Sequence, residues 1–206
     1  MITTIKSISD SQSEILKNIL TIYNLEKFDA DITYSKGNFY KDGSVPQPEF
    51  KSDKLPSSSE VVEADYTNLP VADGVFQSVV FDPPFLPTLY STSAMFKRFS
   101  GFATHAELHD SYKQALAEIF RVLKPEGICV FKCQDFVNSR KNWWIHINVH
   151  NYALEQGFIV DDLYILLAKS RMRTYNTTVQ QHCRKFHSYL WVLKKPKERR
   201  NGHRIS

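Results

Sequence analysis

Apolar side chains recur at two different periods along this chain, and the two alternate. Between positions 11 and 24, Ile15, Leu16, Ile19, Leu20 and Ile22 or Tyr23 fall on one helical face, with Ser11 or Ser13 placed to cap it. Residues 105–123 repeat the pattern at greater length: Leu108, Tyr112, Leu116, Ile119, Phe120 and Leu123 form an apolar stripe, which Lys124-Pro125-Glu126-Gly127 breaks. A third helix is expected over 144–156, closed by Gly157. Around these lie short apolar runs that read as strands, at 28–33, 60–64, 76–81, 128–132, 159–167 and 187–193. The proline- and serine-rich stretch 41–59 reads as a loop with at most one short strand.

Strands alternating with helices or loops predict an α/β fold with a doubly wound, mostly parallel sheet. The last two strands follow one another without a helix between them, so an antiparallel edge strand is expected there. Ligands of such sheets sit at the carboxyl ends of the strands. Asp31, Asp65, Asp82 and Gln134-Asp135 fall at those ends. One domain is expected over 1–206, with a basic tail from about 194 and no separate target-recognition domain.

Composition narrows the classes. The chain is 42% hydrophobic and 23% charged, which fits a soluble globular protein, and its longest apolar runs are too short for a membrane span. The first ten residues lack the basic start and apolar stretch of a signal peptide, so a cytoplasmic location is expected. Three cysteines fit reduced thiols better than a disulfide framework; Cys129 and Cys133 read as packing on one strand face. The pairs His105/His109 and His146/His150 have metal-like spacing but lack the glutamate of a zinc-protease motif, and no metal is expected. The net charge of +4 is uneven: from Arg171 onward the chain carries ten Lys/Arg against Glu198 alone. That concentration of positive charge points to a polyanionic partner.

The most specific signal is Phe81-Asp82-Pro83-Pro84-Phe85, directly after an apolar run. Two prolines cannot continue a sheet ladder, so the chain leaves the sheet rigidly with Asp82 at the strand tip. Asp82-Pro83-Pro84-Phe85 resembles the (D/N/S)-P-P-(Y/F/W) signature of S-adenosylmethionine-dependent methyltransferases acting on exocyclic amino nitrogens, chiefly DNA N6-adenine and N4-cytosine methyltransferases. Leu123-Lys124-Pro125-Glu126-Gly127 is similar to the LKPGG turn of many Rossmann-like class I methyltransferases. The segment from Asp31 to Phe39 resembles the cofactor segment of small, phage-type solitary DNA methyltransferases. The resemblance spans about residues 28–193. It departs from the family at the usual F-x-G-x-G or D-x-G-x-G loop, of which only Gly37 remains.

The resemblance implies a Rossmann-like class I fold, S-adenosylmethionine as cofactor and double-stranded DNA as partner. It implies that Asp82 and the carbonyl of Pro83 hydrogen-bond the target amino group, that Pro84 stiffens the exit, and that Phe85 stacks on the flipped base. Asp65 and Tyr66 would meet the adenosine part of the cofactor, and Asp31, Thr33, Tyr34, Lys36 and Gly37 its methionine part. Asp53 could serve as the ribose acid, but its Ser/Lys-rich setting favours a loop charge. DNA contacts are expected from two loops, one with Lys97 and Arg98, the other with Arg171, Arg173, Arg184 and Lys185; a homodimer is a further expectation. The same residues fit methylation of cytosine N4 or of RNA, and the reduced glycine loop fits a catalytically silent nucleic-acid-binding subunit.

Overall fold

The computed structural model describes residues 4–85, 102, 104–169 and 181–198. Three helices are described: α1 (Gln12–Ile22), α2 (His105–Val122) and α3 (Ile145–Gln156). Each begins or ends where local chemistry demands it. The Ser11 side chain accepts from the backbone N–H of Glu14, and Thr104 caps Glu107 in the same way. Gly157, at φ 98°, terminates α3 in the left-handed conformation that glycine tolerates.

Ten strands are described: β1 (Ile8–Ser9), β2 (Ala30–Asp31), β3 (Phe50–Asp53), β4 (Val62–Glu63), β5 (Phe76–Phe81), β6 (Leu123–Cys133), β7 (Phe136–Asn138), β8 (Lys141–Trp143), β9 (Ile159–Leu167) and β10 (His187–Lys194). Eight of them form one sheet in the order β1-β9-β10-β6-β5-β2-β3-β4, and β7 and β8 form a separate hairpin. All sheet pairs are parallel except those that β10 makes with β6 and β9. The antiparallel strand is therefore where the sequence places it along the chain, but it is interior and not an edge. Both edges of β10 are paired, one with β6 and the other with β9, while Leu190, Trp191, Val192 and Leu193 are buried between the helical layers on the two faces.

The period-2 alternation of strands sorts the core into two layers. On one face Val79, Phe81, Cys129, Phe131, Cys133, Trp191 and Leu193 pack with Leu108, Tyr112, Leu116 and Ile119 of α2 and Val149 of α3. On the other, Val80, Ile128, Val130, Leu190 and Val192 pack with Ile15, Leu16, Ile19 and Leu20 of α1. Cys129 and Cys133 are buried free thiols, as packing residues should be. The break after α2 is absorbed by the sheet: Phe76 pairs with Leu123 and Ser78 with Ile128, so residues 124–127 loop out of the ladder. Gly127 is needed there, since a Cβ would lie 2.9 Å from the Lys124 carbonyl and 3.0 Å from that of Gln77.

Candidate functional site

The carboxyl ends of β2, β3, β4 and β5 open into one cavity of about 400 Å³, a volume suited to a small-molecule ligand. Its lining includes Asp31, Thr33 and Tyr34 after β2, Asp53 at the end of β3, Asp65 and Tyr66 after β4, and Asp82 and Pro84 after β5. Helix α2 closes it with Glu107, Ser111 and Gln114. Parallel strands explain the convergence: every strand tip points the same way, and the acids follow directly on the tips.

Asp31 is 4% exposed and well supplied with donors. The Thr33 N–H donates to Oδ1 at 3.0 Å and the Tyr40 hydroxyl to Oδ2 at 3.0 Å. Burial nevertheless dominates and pushes its pKa up to about 7, with the Asp82 and Asp53 charges adding to the rise. Asp53 accepts the Leu55 N–H on Oδ1 and the Ser35 N–H on Oδ2, both at 2.8 Å. Asp65 accepts the N–H and hydroxyl of Thr67 on Oδ1, at 3.0 and 2.7 Å, and pairs with Lys54 at 3.4 Å. Burial raises the Asp65 pKa, but these hydrogen bonds and Lys54 outweigh it and leave it below the usual range. Tyr66 is fixed edge-on against Phe81 and by a 2.8 Å hydrogen bond to Ser111.

Asp82 is held otherwise. Its backbone N–H donates to the Thr33 hydroxyl at 2.7 Å, and Oδ2 accepts from the Lys132 ammonium at 3.2 Å. Oδ1 is buried and has no hydrogen-bond partner among the described residues. Burial raises the Asp82 pKa, opposed by the charge and hydrogen bond of Lys132. Pro84 is anchored through its carbonyl, which accepts the Tyr112 hydroxyl at 2.9 Å.

Other expected site residues lie elsewhere. Phe85 faces an adjoining hollow lined by Gln12, Lys132, Gln134 and Ser188, so it borders the Asp82 site from the far side of Lys132. Pro83 is buried. Gly37 is buried behind Tyr34, where a Cβ would collide with the tyrosine oxygen, and its φ is +64°. Lys36 is exposed between the lining residues Ser35 and Asn38. Lys97, Arg98, Arg171 and Arg173 lie outside the described residues, whereas Arg184 and Lys185 precede β10. The Lys185 ammonium sits 4.6 Å from the ring centre of Trp144, an indole 47% exposed.

The cavity lining also includes Asp53, for which sequence reasoning favoured a loop charge, and Lys132 was not singled out from the sequence. Asp53 closes β3, 22 positions after Asp31, and so reaches the same cavity. Lys132 was legible as a cation inside the apolar run from Ile128 to Cys133. The histidine pairs serve other ends. His105 stacks on Trp143 at 3.7 Å between ring centres, and His146 pairs with Asp135 at 2.7 Å. His109 bonds Tyr152, and His150 bonds its neighbour Asn151. Among the described residues no three His, Cys, Asp or Glu side chains gather as metal ligands, and no helix is long and apolar enough to cross a membrane.

Comparison with solved structures places this architecture among Rossmann-like class I methyltransferase folds. The chain is similar to a candidate methyltransferase of Haloferax volcanii solved with the Trm112 methyltransferase activator, with a TM-score of 0.56 at 15% identity over 89% of each chain. It is similar to the 1,6-didemethyltoxoflavin-N1-methyltransferase of Burkholderia thailandensis, solved with S-adenosylhomocysteine: TM-score 0.53, 11% identity, 92% of this chain and 80% of that one. A candidate DNA modification methylase from Thermus thermophilus matches at 18% identity and TM-score 0.48 over 68% of this chain; the match spans 56% of that protein. No protein-family model and no curated protein matches the chain.

Proposed function

We propose that the chain transfers a methyl group from S-adenosylmethionine to the exocyclic N6 amine of adenine in double-stranded DNA. The observation that carries this reading is Asp82: a residue of the cavity lining with one buried carboxylate oxygen that has no partner among the described residues, followed by two prolines that aim the chain out of the sheet. Fold likeness alone would not carry it, because one fold hosts many activities.

The residues present fit the cofactor. Asp53 retains lone pairs on both oxygens for ribose hydroxyls, and Asp65 with Tyr66 suits the adenine end. Asp31, near Thr33 and Tyr34, would take the methionyl ammonium. Gly37 serves indirectly by seating Tyr34, and Lys36 is left with a longer-range attraction for the cofactor carboxylate. Bound there, the sulfonium supplies an already activated methyl group, so orientation and charge placement are the chain's main tasks.

Asp82 Oδ1 accepts a hydrogen bond from the target amine, localising the lone pair that ring conjugation otherwise withdraws. A bound donor would supply the methyl group to that pair and keep the C–S electrons as its thioether product, so the chain's own part is to hold the amine and receive its proton. The amine proton passes to Asp82 and on to water. The Pro83 carbonyl, belonging to a residue with no N–H, can only accept. Because the target nitrogen is stacked in a duplex, the base must be flipped, and Phe85 would support the exposed ring.

DNA as the partner is supported by charge and by an aromatic, basic platform beside β6. The hairpin β7–β8 and the start of α3 carry Arg140, Lys141, Trp143 and Trp144, and residues 136–154 contain no acid. Lys141 and Lys185 lie over Trp143 and Trp144 at 4.8 and 4.6 Å. The Trp144 ring is exposed beside Lys185, a setting that suits an unstacked base and a phosphate, whereas Trp143 is half-buried and already stacked on His105. Mass analysis of nucleosides from DNA and RNA incubated with the protein and labelled cofactor is the test. Label in N6-methyldeoxyadenosine is expected. Label in N4-methyldeoxycytidine or in RNA would reassign the substrate, and cofactor binding without transfer would leave a silent nucleic-acid-binding subunit.

A further inference from the structure

We infer that Lys132 is the positioning residue of this site: by holding Oδ2 of Asp82 it leaves Oδ1 as the unpaired acceptor for the target amine. The inference rests on the reading of Asp82 given above and assigns a role to a residue outside the Asp-Pro-Pro-Phe segment.

The placement follows from strand alternation. Val80 and Val130 face α1, so Asp82 and Lys132, two positions further along neighbouring strands, face the same way. Two apolar columns thus end in one ion pair at the sheet's carboxyl edge. The Lys132 side chain is only 13% exposed. One donor goes to Asp82 at 3.2 Å and another to Gln12 Oε1, at the first position of α1, at 2.9 Å. The rings of Phe39 and Phe85 lie 4.9 and 5.6 Å from the ammonium. Lysine is a flexible residue, yet here helix, strand and two aromatic rings hold it, so it can hold Asp82 in turn.

The pairing decides the chemistry of Asp82 because the remaining surroundings oppose its charge. Asp31 after β2 repels it, and Tyr40, Tyr112 of α2 and Cys133 of β6 feel its field. Lys132 is the cation that offsets burial. Without it the carboxyl would hold its proton to higher pH, and a neutral acid cannot take a proton from the amine.

The test is the Asp82 titration, followed by NMR in protein carrying carbon-13-labelled aspartate, with Asp82→Asn assigning the resonance. Lys132→Met should raise the Asp82 midpoint by about one pH unit or more. The acid limb of methyl transfer to DNA should move up with it, cutting turnover near neutrality by about tenfold and recovering at alkaline pH. Affinity for S-adenosylhomocysteine should stay within about threefold, which a collapsed fold would not allow. Lys132→Gln keeps a donor without the charge and should move the midpoint in the same direction; it serves where methionine prevents folding. Lys132→Arg should restore most of the wild-type profile. An unmoved Asp82 midpoint in the uncharged variants, or a turnover loss equal at every pH, overturns the inference. A shifted midpoint in a protein whose wild type methylates no nucleic acid would instead sink the proposed reaction and leave the coupling of Lys132 to Asp82 standing.

Discussion

One half of the sheet is built from short strands and the other from long ones, and the two halves treat their carboxylates differently. β2, β3 and β4 are two, four and two residues long, whereas β5, β6 and β10 have six, eleven and eight. At the short strands, Asp31, Asp53 and Asp65 each accept a backbone N–H from the loop that follows. Those acids help fold their own loops and present what acceptor capacity is left. At the long strands the ladder already fixes the backbone, and Asp82 uses its side chain for one cation and leaves one oxygen open. Carboxylates tied into loops are suited to binding, and the under-satisfied one is suited to chemistry. Asp82→Ala tests this division most severely. Methyl transfer should fall by at least about a hundredfold, while calorimetry should find cofactor affinity changed only a few-fold; substantial residual turnover would dissolve the distinction.

The same contrast explains what the sequence revealed. Long elements carry enough periods to be read, so α1, α2, α3, β5, β6, β9 and β10 were all legible from apolar spacing. The two-residue strands β2 and β4 were legible only as parts of longer apolar runs, and β1, without such a run around it, went unread. Residues 50–53 were masked by the prolines and serines around them, which is why Asp53 read as a loop charge. The hairpin β7–β8 was hidden by its turn. Ser139 and Arg140 have φ of 51° and 60°, and such a turn is normally announced by Asn-Gly or Asp-Gly. For the site, the strand-end rule found Asp31, Asp65 and Asp82, but no local pattern could show that Lys132 meets Gln12 across the fold.

Phe85 sharpens the comparison from the long-strand side. It borders the hollow next to Lys132 and lies off the cavity lining. Phe85→Ala should therefore weaken capture of the DNA base by ~1–3 kcal/mol and leave cofactor affinity unchanged, as separate titrations with DNA and with S-adenosylhomocysteine would report. Equal losses for both ligands would mean that the two hollows work as one.

On the short-strand side the corresponding probe is pH. Burial holds Asp31 at about 7, and a cationic ammonium binds its ionised form. Cofactor affinity should rise about tenfold per pH unit up to about 7 and level off above it, and Asp31→Asn should flatten that dependence. Stability runs the opposite way. Between the ordinary value of 3.8 and about 7 the folded protein holds a proton that the unfolded chain has lost. Unfolding free energy contributed by Asp31 therefore falls as pH rises through that window, and denaturation of Asp31→Asn should lack this slope. A cofactor affinity independent of pH in the wild type would remove Asp31 from the ammonium site.

The smallest expected effect concerns the edge of the site, where binding is shared among many charges. Lys185 lies against the exposed ring of Trp144, and moving from ring to phosphate would exchange one weak cation contact for a charge-assisted hydrogen bond. A phosphate contact positions the duplex without reading it. Lys185→Ala should then weaken DNA binding a few-fold and equally across sequences, and reduce the slope of log affinity against log salt by about one. Trp144→Ala should weaken binding without changing the salt slope, because a ring releases no counterion. If Lys185→Ala binds one DNA sequence normally and another poorly, the lysine reads bases, and this platform belongs to recognition as well as to docking.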